Sequence, residues 1–215
     1  METLDRAGLV YGVEEPAGGG AGAPGAADGA ASGTTLVLRG VGTDPERLAE
    51  RAAAIAPGHR RVAPEPPRFL YVGRDHVGQR WWVTSIDGEH EPATFGDALH
   101  AVEQLAAGIR AQWAAPSLLV GDGQGGELAL ALALIAPELV AGVVACDAAL
   151  PEVPGWERPA AALDGLPVLL LPGAQPVAAI ERTRRELLAA GARVSESAEA
   201  EMASAWWREA APVPT

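Results

Sequence analysis

Short apolar runs alternate along this chain with longer segments whose apolar residues recur every three or four positions. Residues 9–13, 34–39, 60–63, 118–120, 140–145, 166–171 and 193–195 read as strands, being short, rich in Val and Leu, and bounded by Gly, Pro or charge. Residues 81–84 read as extended, and the Pro/Gly/Arg stretch 64–79 as loop. A helix is expected over 44–55, because Asp44-Pro45 supplies a cap and a first-turn proline. Another is expected over 95–113, where Leu99, Val102, Leu105, Ala106 and Ile109 follow the helical period. Further helices are expected over 126–135, 177–190 (stopping at Gly191) and 200–210. Apolar strands alternating with helices predict an α/β fold, a mostly parallel central sheet with helices on both faces. No repeat or second domain is visible, so residues 1–215 read as a single domain. Within it, residues 14–33 form a flexible Gly/Ala-rich loop and 211–215 a tail, since glycine this dense does not offset its ordering entropy.

The most informative stretch is residues 117–131, SLLVGDGQGGELALA, which passes from a strand through a glycine-rich turn into an Ala/Leu helix. Read as G-x-G-x-x-G, it places Gly121, Gly123 and Gly126 around a pyrophosphate. Asp147, 21 residues after Gly126, then stands near the place of a ribose-binding acid. Read as G-x-S-x-G, it is a nucleophile elbow with Gly123 at the serine position. Against the first reading, the turn falls mid-chain after about four strands, and few elements follow Asp147.

Composition narrows the chemistry. The chain has 215 residues and a formal charge of -12, and all 16 basic residues are Arg. Without lysine there is no Schiff base, no Ser-Lys dyad and no P-loop lysine. An acidic chain without a basic stripe argues against nucleic-acid binding; Arg182, Arg184 and Arg185 alternate with Glu181 and Glu186 as a solvated helix face does. The single cysteine, Cys146, excludes an intrachain disulfide and reads as a small buried residue. No apolar leader or membrane-length run is visible, so a cytoplasmic, membrane-free protein is the expectation. The four histidines, His59, His76, His90 and His100, lack metal-ligand spacing, so no metal and no cofactor are expected.

The chain resembles the phospholipase/carboxylesterase group of small α/β hydrolases, which includes acyl-protein thioesterases. Members read like G-F-S-Q-G-G, then small and Leu residues, then P-E, then a strand ending in S-G. Here Gly121-Asp122-Gly123-Gln124-Gly125-Gly126 is followed by Leu128 to Ala131, then Pro137-Glu138, then Val143 to Asp147. Leu36 to Gly42 (LVLRGVG) resembles the strand into the family's L-H-G-x-G oxyanion loop, with Arg39 in place of His. Val62-Ala63-Pro64 resembles the next strand end, Arg80-Trp81-Trp82 the R-x-W-F segment, and Leu166 to Gly173 the strand before the acid loop. The resemblance covers about residues 9–207 and implies the α/β-hydrolase fold. It also implies a Ser-His-Asp triad whose positions are replaced here. Gly123 stands for Ser, Gln175 for Asp, and residues 196–200 hold no His, the last in the chain being His100.

Backbone N–H groups of Val41 and Gln124 then stand where an oxyanion binds, with Gly40 and Gly42 in the loop beside them. Gly123 suits the strained turn better than Ser would. Candidate acid/base groups are Asp122, Asp147 and His76, the last in a loop near the entrance with Arg74, Asp75 and Arg80. Against these stand plainer roles: Asp122 as a turn residue, Asp147 as a cap for the next loop, and His76 and His90 as loop surface. His59 and His100 read as surface. Trp81 and Trp82, adjacent on an extended segment, should send one ring to each face, one into core and one, with Arg80, against a pocket. Trp206-Trp207 is expected to pin the last helix to the sheet.

These readings lead to a small-molecule enzyme working without an acyl-enzyme, on a modest apolar carbonyl compound, ester or lactone. Cyclisation, elimination, isomerisation and non-covalent hydrolysis all fit. A ligand-binding or regulatory pseudoenzyme is the alternative. Next comes an esterase with an unrecognised nucleophile, for which Ser117, Ser195, Ser197 and Ser204 lack elbow context; a nucleotide binder is last. The expected partner is a small molecule, and the chain is expected to be a monomer or homodimer.

Overall fold

The structure is a computed structural model that describes residues 2–6, 8–16, 31–72, 74–159, 162–197 and 202–211. Most of the expected 14–33 loop, residues 17–30, lies outside the described residues, as do residues 212–215 of the tail. In chain order the elements are β1 (Glu2–Arg6), β2 (Leu9–Glu14), β3 (Gly33–Leu38), α1 (Pro45–Ile55), β4 (His59–Pro64), β5 (Arg68–Val72), β6 (Asp75–Arg80) and α2 (Pro92–Trp113). Then follow β7 (Ser117–Asp122), α3 (Gln124–Ile135), β8 (Val140–Cys146), β9 (Pro167–Leu171), α4 (Val177–Ala189), β10 (Arg193–Glu196) and α5 (Met202–Ala210).

Eight strands form one sheet in the order β1-β2-β4-β3-β7-β8-β9-β10. From β4 to β10 every pairing is parallel, and β2 pairs antiparallel with both β1 and β4. The strand alternation decides which face each residue serves. Leu36, Leu38, Leu119, Val143, Ala145, Val168 and Leu170 pack under α2, α3 and α4. Val37, Leu118, Val120, Val144, Cys146, Leu169 and Leu171 pack with α1 and α5 on the other face. Both faces are covered, which is why the parallel strands read as continuous apolar runs. Helix α3 is apolar all round because it lies between α2 and the sheet, and Leu128 to Leu134 are all buried. Each of its buried leucines contributes roughly 2 kcal/mol of transfer free energy.

Helix starts follow their caps. Asp44 accepts the N–H of Glu46 at 3.0 Å and opens α1 as expected. Helix α2 begins at Pro92, three residues before the expected start, because the Glu91 carboxylate accepts the N–H groups of Ala93 and Thr94 at 3.1 and 2.7 Å. The Thr94 hydrogen bonds hold the Glu91 carboxyl below its ordinary range. Among the described residues no helix is long and apolar enough to cross a membrane.

Several local expectations are corrected. The stretch 64–79 is not loop: β5 and β6 pair as an antiparallel hairpin with a bulge at Leu70/Tyr71. The strand formers Phe69 to Val72 are obscured in the sequence by the surrounding Pro, Gly and Arg. Strand β1, unforeseen, adds to β2 at the sheet edge. Residues 81–84 bend rather than extend, with Thr84 bridging to His90. Trp207 is buried against the α1 face of the sheet, as the pinning of the last helix requires.

Candidate functional site

Strand β7 is central, between β3 and β8, and its carboxyl end turns sharply into α3 at Gly123. Gly123 has φ 51° and ψ −125°, a left-handed conformation that strains any residue with a side chain. It is held by its own N–H, which donates to Cys146 O at 3.0 Å, and by Gly123 O, which accepts from Glu127 N at 3.0 Å. A Cβ on Gly123 would meet only the Gly40 Cα, at 3.7 Å. The other glycines of the turn answer to packing. A Cβ on Gly121 would lie 2.4 Å from Gly125 O, one on Gly125 1.9 Å from Leu38 O, and one on Gly126 2.5 Å from the Ala148 Cβ. The first turn of α3 therefore lies directly on the ends of β3, β7 and β8. The glycine spacing that imitates a pyrophosphate cradle is a record of helix-on-sheet contact.

The loop after β3 presses on the same turn. A Cβ on Gly40 would lie 2.5 Å from Asp122 O and 3.2 Å from Gln124 N. Gly40 N–H donates to Thr43 Oγ1 at 3.1 Å, and the Thr43 hydroxyl donates to Asp122 Oδ2 at 2.5 Å. Asp122 continues the Leu118 and Val120 row of β7, so its carboxylate faces α1. There it borders a cleft of about 300 Å³ with Thr43, Asp44, Arg47 and Arg51. Cys146 lies buried behind it; burial pushes the thiol up, with Arg51 pulling the other way. Val41 is exposed in this loop and Gly42 has φ 74° with open space at its Cβ position. Among the described residues neither the Val41 nor the Gln124 N–H is engaged by a protein acceptor.

Asp147, in a left-handed conformation with φ 45°, ties β8 to the loop after β9. Its Oδ1 accepts the Ala174 N–H at 2.8 Å, its N–H donates to Leu171 O at 2.7 Å, and the Gln175 side-chain amide donates to Asp147 O at 2.9 Å. The carboxylate that a dinucleotide reading would give to a ribose is thus bonded within the protein. Gln175 closes the same turn. Of the region expected near the third triad position, Glu196 and Ser197 are described and 198–200 lie outside the described residues.

Trp81 and Trp82 do not split between the two faces. Both are 0 % exposed and both belong to the core under α2 and α3. The bend at 81–82 turns the second ring the same way as the first. The Gln124 side chain clamps this bend to the elbow, its Oε1 accepting Trp81 N–H at 3.0 Å and its Nε2 donating to Trp82 O at 3.2 Å. The Trp81 indole N–H donates to Arg39 O at 2.8 Å. The Arg39 guanidinium donates to Gln79 of β6. Arg80 ends β6, its Nε buried without a partner among the described residues. His76 lies on β6, and its side chain is outside the described residues. His100 is exposed, as expected. His59, expected at the surface, instead hydrogen-bonds Thr35 Oγ1 at 3.0 Å and meets Trp207 edge-on; burial lowers its pKa.

The residue that reading the sequence missed is Glu127; the partner it meets is His90, which the sequence offered only as a loop histidine. Glu127 lies one turn beyond Gly123, its side chain only 16 % exposed and its Oε2 buried with no hydrogen-bond partner among the described residues. Burial first, and the Asp147 charge second, push its carboxyl up to about 8. His90 Nε2 lies 3.9 Å from that oxygen. One signal was present: ELALALALI carries a lone carboxylate on a helix with no polar face.

Against known proteins, no family model and no curated protein matches this sequence. Solved structures do match. A carboxylesterase from Mesorhizobium loti is 18 % identical, with a TM-score of 0.75 over 96 % of this chain and 98 % of that one. A carboxylesterase from Bacillus cereus is 15 % identical, with a TM-score of 0.73 over 94 % of each chain. SOBER1 from Arabidopsis thaliana is 16 % identical, with a TM-score of 0.64 over 82 % of this chain and 98 % of that one. Identities this low establish the fold: this is the α/β-hydrolase fold, with a mostly parallel sheet covered on both faces.

Proposed function

We propose that this chain acts on a small apolar carbonyl compound, ester or lactone by acid/base and electrostatic means, without an acyl-enzyme. The observation that carries the reading is Gly123. The strand-to-helix turn keeps an elbow conformation, φ 51° and ψ −125°, while the residue at its apex has no atom with which to attack. Gln175 at the acid-loop position and the lack of any histidine beyond His100 support the same reading. The N–H groups of Val41 and Gln124 supply the electrostatic part, stabilising negative charge on a carbonyl oxygen at the start of α3. Asp122, through Thr43, holds the loop that carries Val41 against the turn. That the similar structures include carboxylesterases supports a carbonyl substrate.

Three measurements test this. Wild-type protein should turn over short-chain aryl esters or γ-lactones and remain unlabelled by a fluorophosphonate; labelling would establish an ordinary serine esterase. Absence of turnover together with tight binding of such compounds would favour the alternative, a ligand-binding pseudoenzyme housed in the space beside Gly123. Gly123→Ser fits sterically but places a side chain at a strained φ, and should lower stability by about 1–3 kcal/mol while remaining unlabelled. Asp122→Asn should lower kcat by about 10-fold or more by loosening the loop, since loss of a single oxyanion donor elsewhere costs about 100-fold. Unchanged kcat in that variant removes Asp122 from the chemistry.

A further inference from the structure

Asp122 is bonded to Thr43 and Asp147 to Ala174, so neither carboxylate beside the elbow is free to work as a base. Glu127 Oε2 has no such bond among the described residues. Side chains on a helix lean towards its N-terminus, so Glu127, one turn beyond Gly123, leans back towards the elbow. Among the described residues its buried Oε2 has no hydrogen-bond partner. Such an atom normally has one, so an unsatisfied one needs a reason.

His90 is built to face it. The Trp82 indole N–H donates to His90 Nδ1 at 2.9 Å. Trp82 is itself fixed edge-on against Phe95, with ring centroids 5.2 Å apart, and is fully buried. An indole N–H only donates, so Nδ1 must carry a lone pair and Nε2 the proton. The ring cannot become imidazolium without losing that bond. Burial lowers its pKa in the same sense, with Glu152 opposing. His90 therefore presents a neutral Nε2–H towards Glu127 Oε2, 3.9 Å away. That gap is wide enough for a substrate or water atom to bridge both groups. The charged neighbours of the pair are Asp147, at the end of β8, and Glu152, beside His90.

We propose that Glu127, aimed by His90, is the base serving the elbow pocket and removes a proton from the carbon next to a substrate carbonyl. The idea rests on the carbonyl-pocket reading above. The Glu127 carboxylate takes the α-hydrogen as a proton, and the C–H electron pair becomes the C=C bond of an enolate. The carbonyl π pair moves to oxygen, where the Val41 and Gln124 N–H groups hold the charge. The protonated Glu127 then trades its proton with solvent and delivers a solvent-derived one to the same carbon, or delivers the original proton to a conjugated carbon. Exchange or isomerisation results, no other reactant is consumed, and the carboxylate is regenerated. His90 Nε2–H, 3.9 Å away, favours the carboxylate form electrostatically and keeps it aimed. A carboxylate that holds its proton up to near-neutral pH is a far stronger base than an exposed one.

The test is hydrogen–deuterium exchange at the α-carbon of 2-butanone, cyclohexanone and γ-butyrolactone, followed by NMR from pH 5 to 9.5. Wild-type protein should accelerate exchange of at least one probe, rising through a single ionisation near pH 8. Glu127→Gln should lose about 100-fold or more of that rate, and Glu127→Asp should recover part of it. His90→Phe should lower the rate and shift the midpoint upwards. Exchange at the wild-type rate in Glu127→Gln overturns the pair and leaves the carbonyl reading standing. So does hydrolysis of the lactone with no α-exchange. Neither exchange nor hydrolysis removes both. A carbon-13 titration of Glu127 in the unmodified protein needs no variant to fold, and a midpoint below about 6 overturns the proposal.

Discussion

Gly125→Ala should leave no folded protein at 25 °C. The added Cβ would sit 1.9 Å from the Leu38 carbonyl oxygen and 2.4 Å from its carbon. Both lie in backbone, and Leu38 ends β3, which is hydrogen-bonded to β4 on one side and β7 on the other. No side chain can rotate away; α3 would have to lift off the sheet and expose residues that are now fully buried. Ordinary overpacking costs about 1–3 kcal/mol, and a clash with immovable backbone should exceed about 4 kcal/mol. That is comparable with the whole stability of many domains, about 5–15 kcal/mol. Gly96→Ala is the control. Gly96 is exposed on α2, with nothing within 4 Å of its Cβ position, and alanine there should raise stability by about 0.5–1 kcal/mol. Urea unfolding of both variants checks the pair of signs. A folded Gly125→Ala with wild-type stability would mean that α3 does not lie on β3 as described.

Glu127→Gln should stabilise the protein at pH 9 and leave it nearly unchanged at pH 4.5. In the folded chain the Glu127 carboxyl titrates at about 8, against an ordinary value of 4.5. Between those values the native state holds a proton that the unfolded chain has released. Stability from this group is therefore fully present below pH 4.5 and declines by about 1.4 kcal/mol per unit as pH rises towards 8. The loss totals on the order of 5 kcal/mol and is complete above pH 8. Glutamine has the same shape and no ionisation, so the variant escapes the decline. His59, whose pKa is lowered by burial, bends the curve of both proteins the other way below its ordinary range. The difference between variant and wild type removes that contribution. Denaturant melts of the two proteins at pH 4.5, 7 and 9 give the curve. A variant less stable than wild type at pH 9 would show that the ionised Glu127 is well paired. The same substitution that stabilises the fold should remove the proton exchange, as expected of a group held in an unfavourable environment for its chemistry.

Legibility in the sequence followed the range of the forces involved. The parallel strands and the amphipathic helices could be read because each repeats a local pattern many times, and the Asp44-Pro45 cap is complete within a few residues. The β5–β6 hairpin could not, because its pairing, Arg68 with Arg80 at one end, is made across a turn and its apolar residues lie within a Pro/Gly/Arg-rich stretch. The site divided the same way. Gly123 could be placed at an elbow from its neighbours along the chain. Trp81 and Trp82 were misassigned because period-2 alternation assumes an extended backbone, and the backbone bends there under the grip of Gln124. His59 and His90, each isolated in sequence, were given no partners, yet each has one from a distant or folded-back segment.

By itself the sequence determined the α/β alternation, the central glycine turn, and the lack of a hydroxyl at its apex, since each depends on residue type and near neighbours alone. Only the tertiary structure decided that Gly121, Gly125 and Gly126 are demanded by α3 lying on the sheet rather than by a phosphate. It alone directed Asp122 to Thr43 and Asp147 to Ala174. And it alone enclosed Glu127 beside His90, because the burial that raises a carboxyl pKa comes from segments far away in the chain and cannot be assigned to any one residue until they have packed.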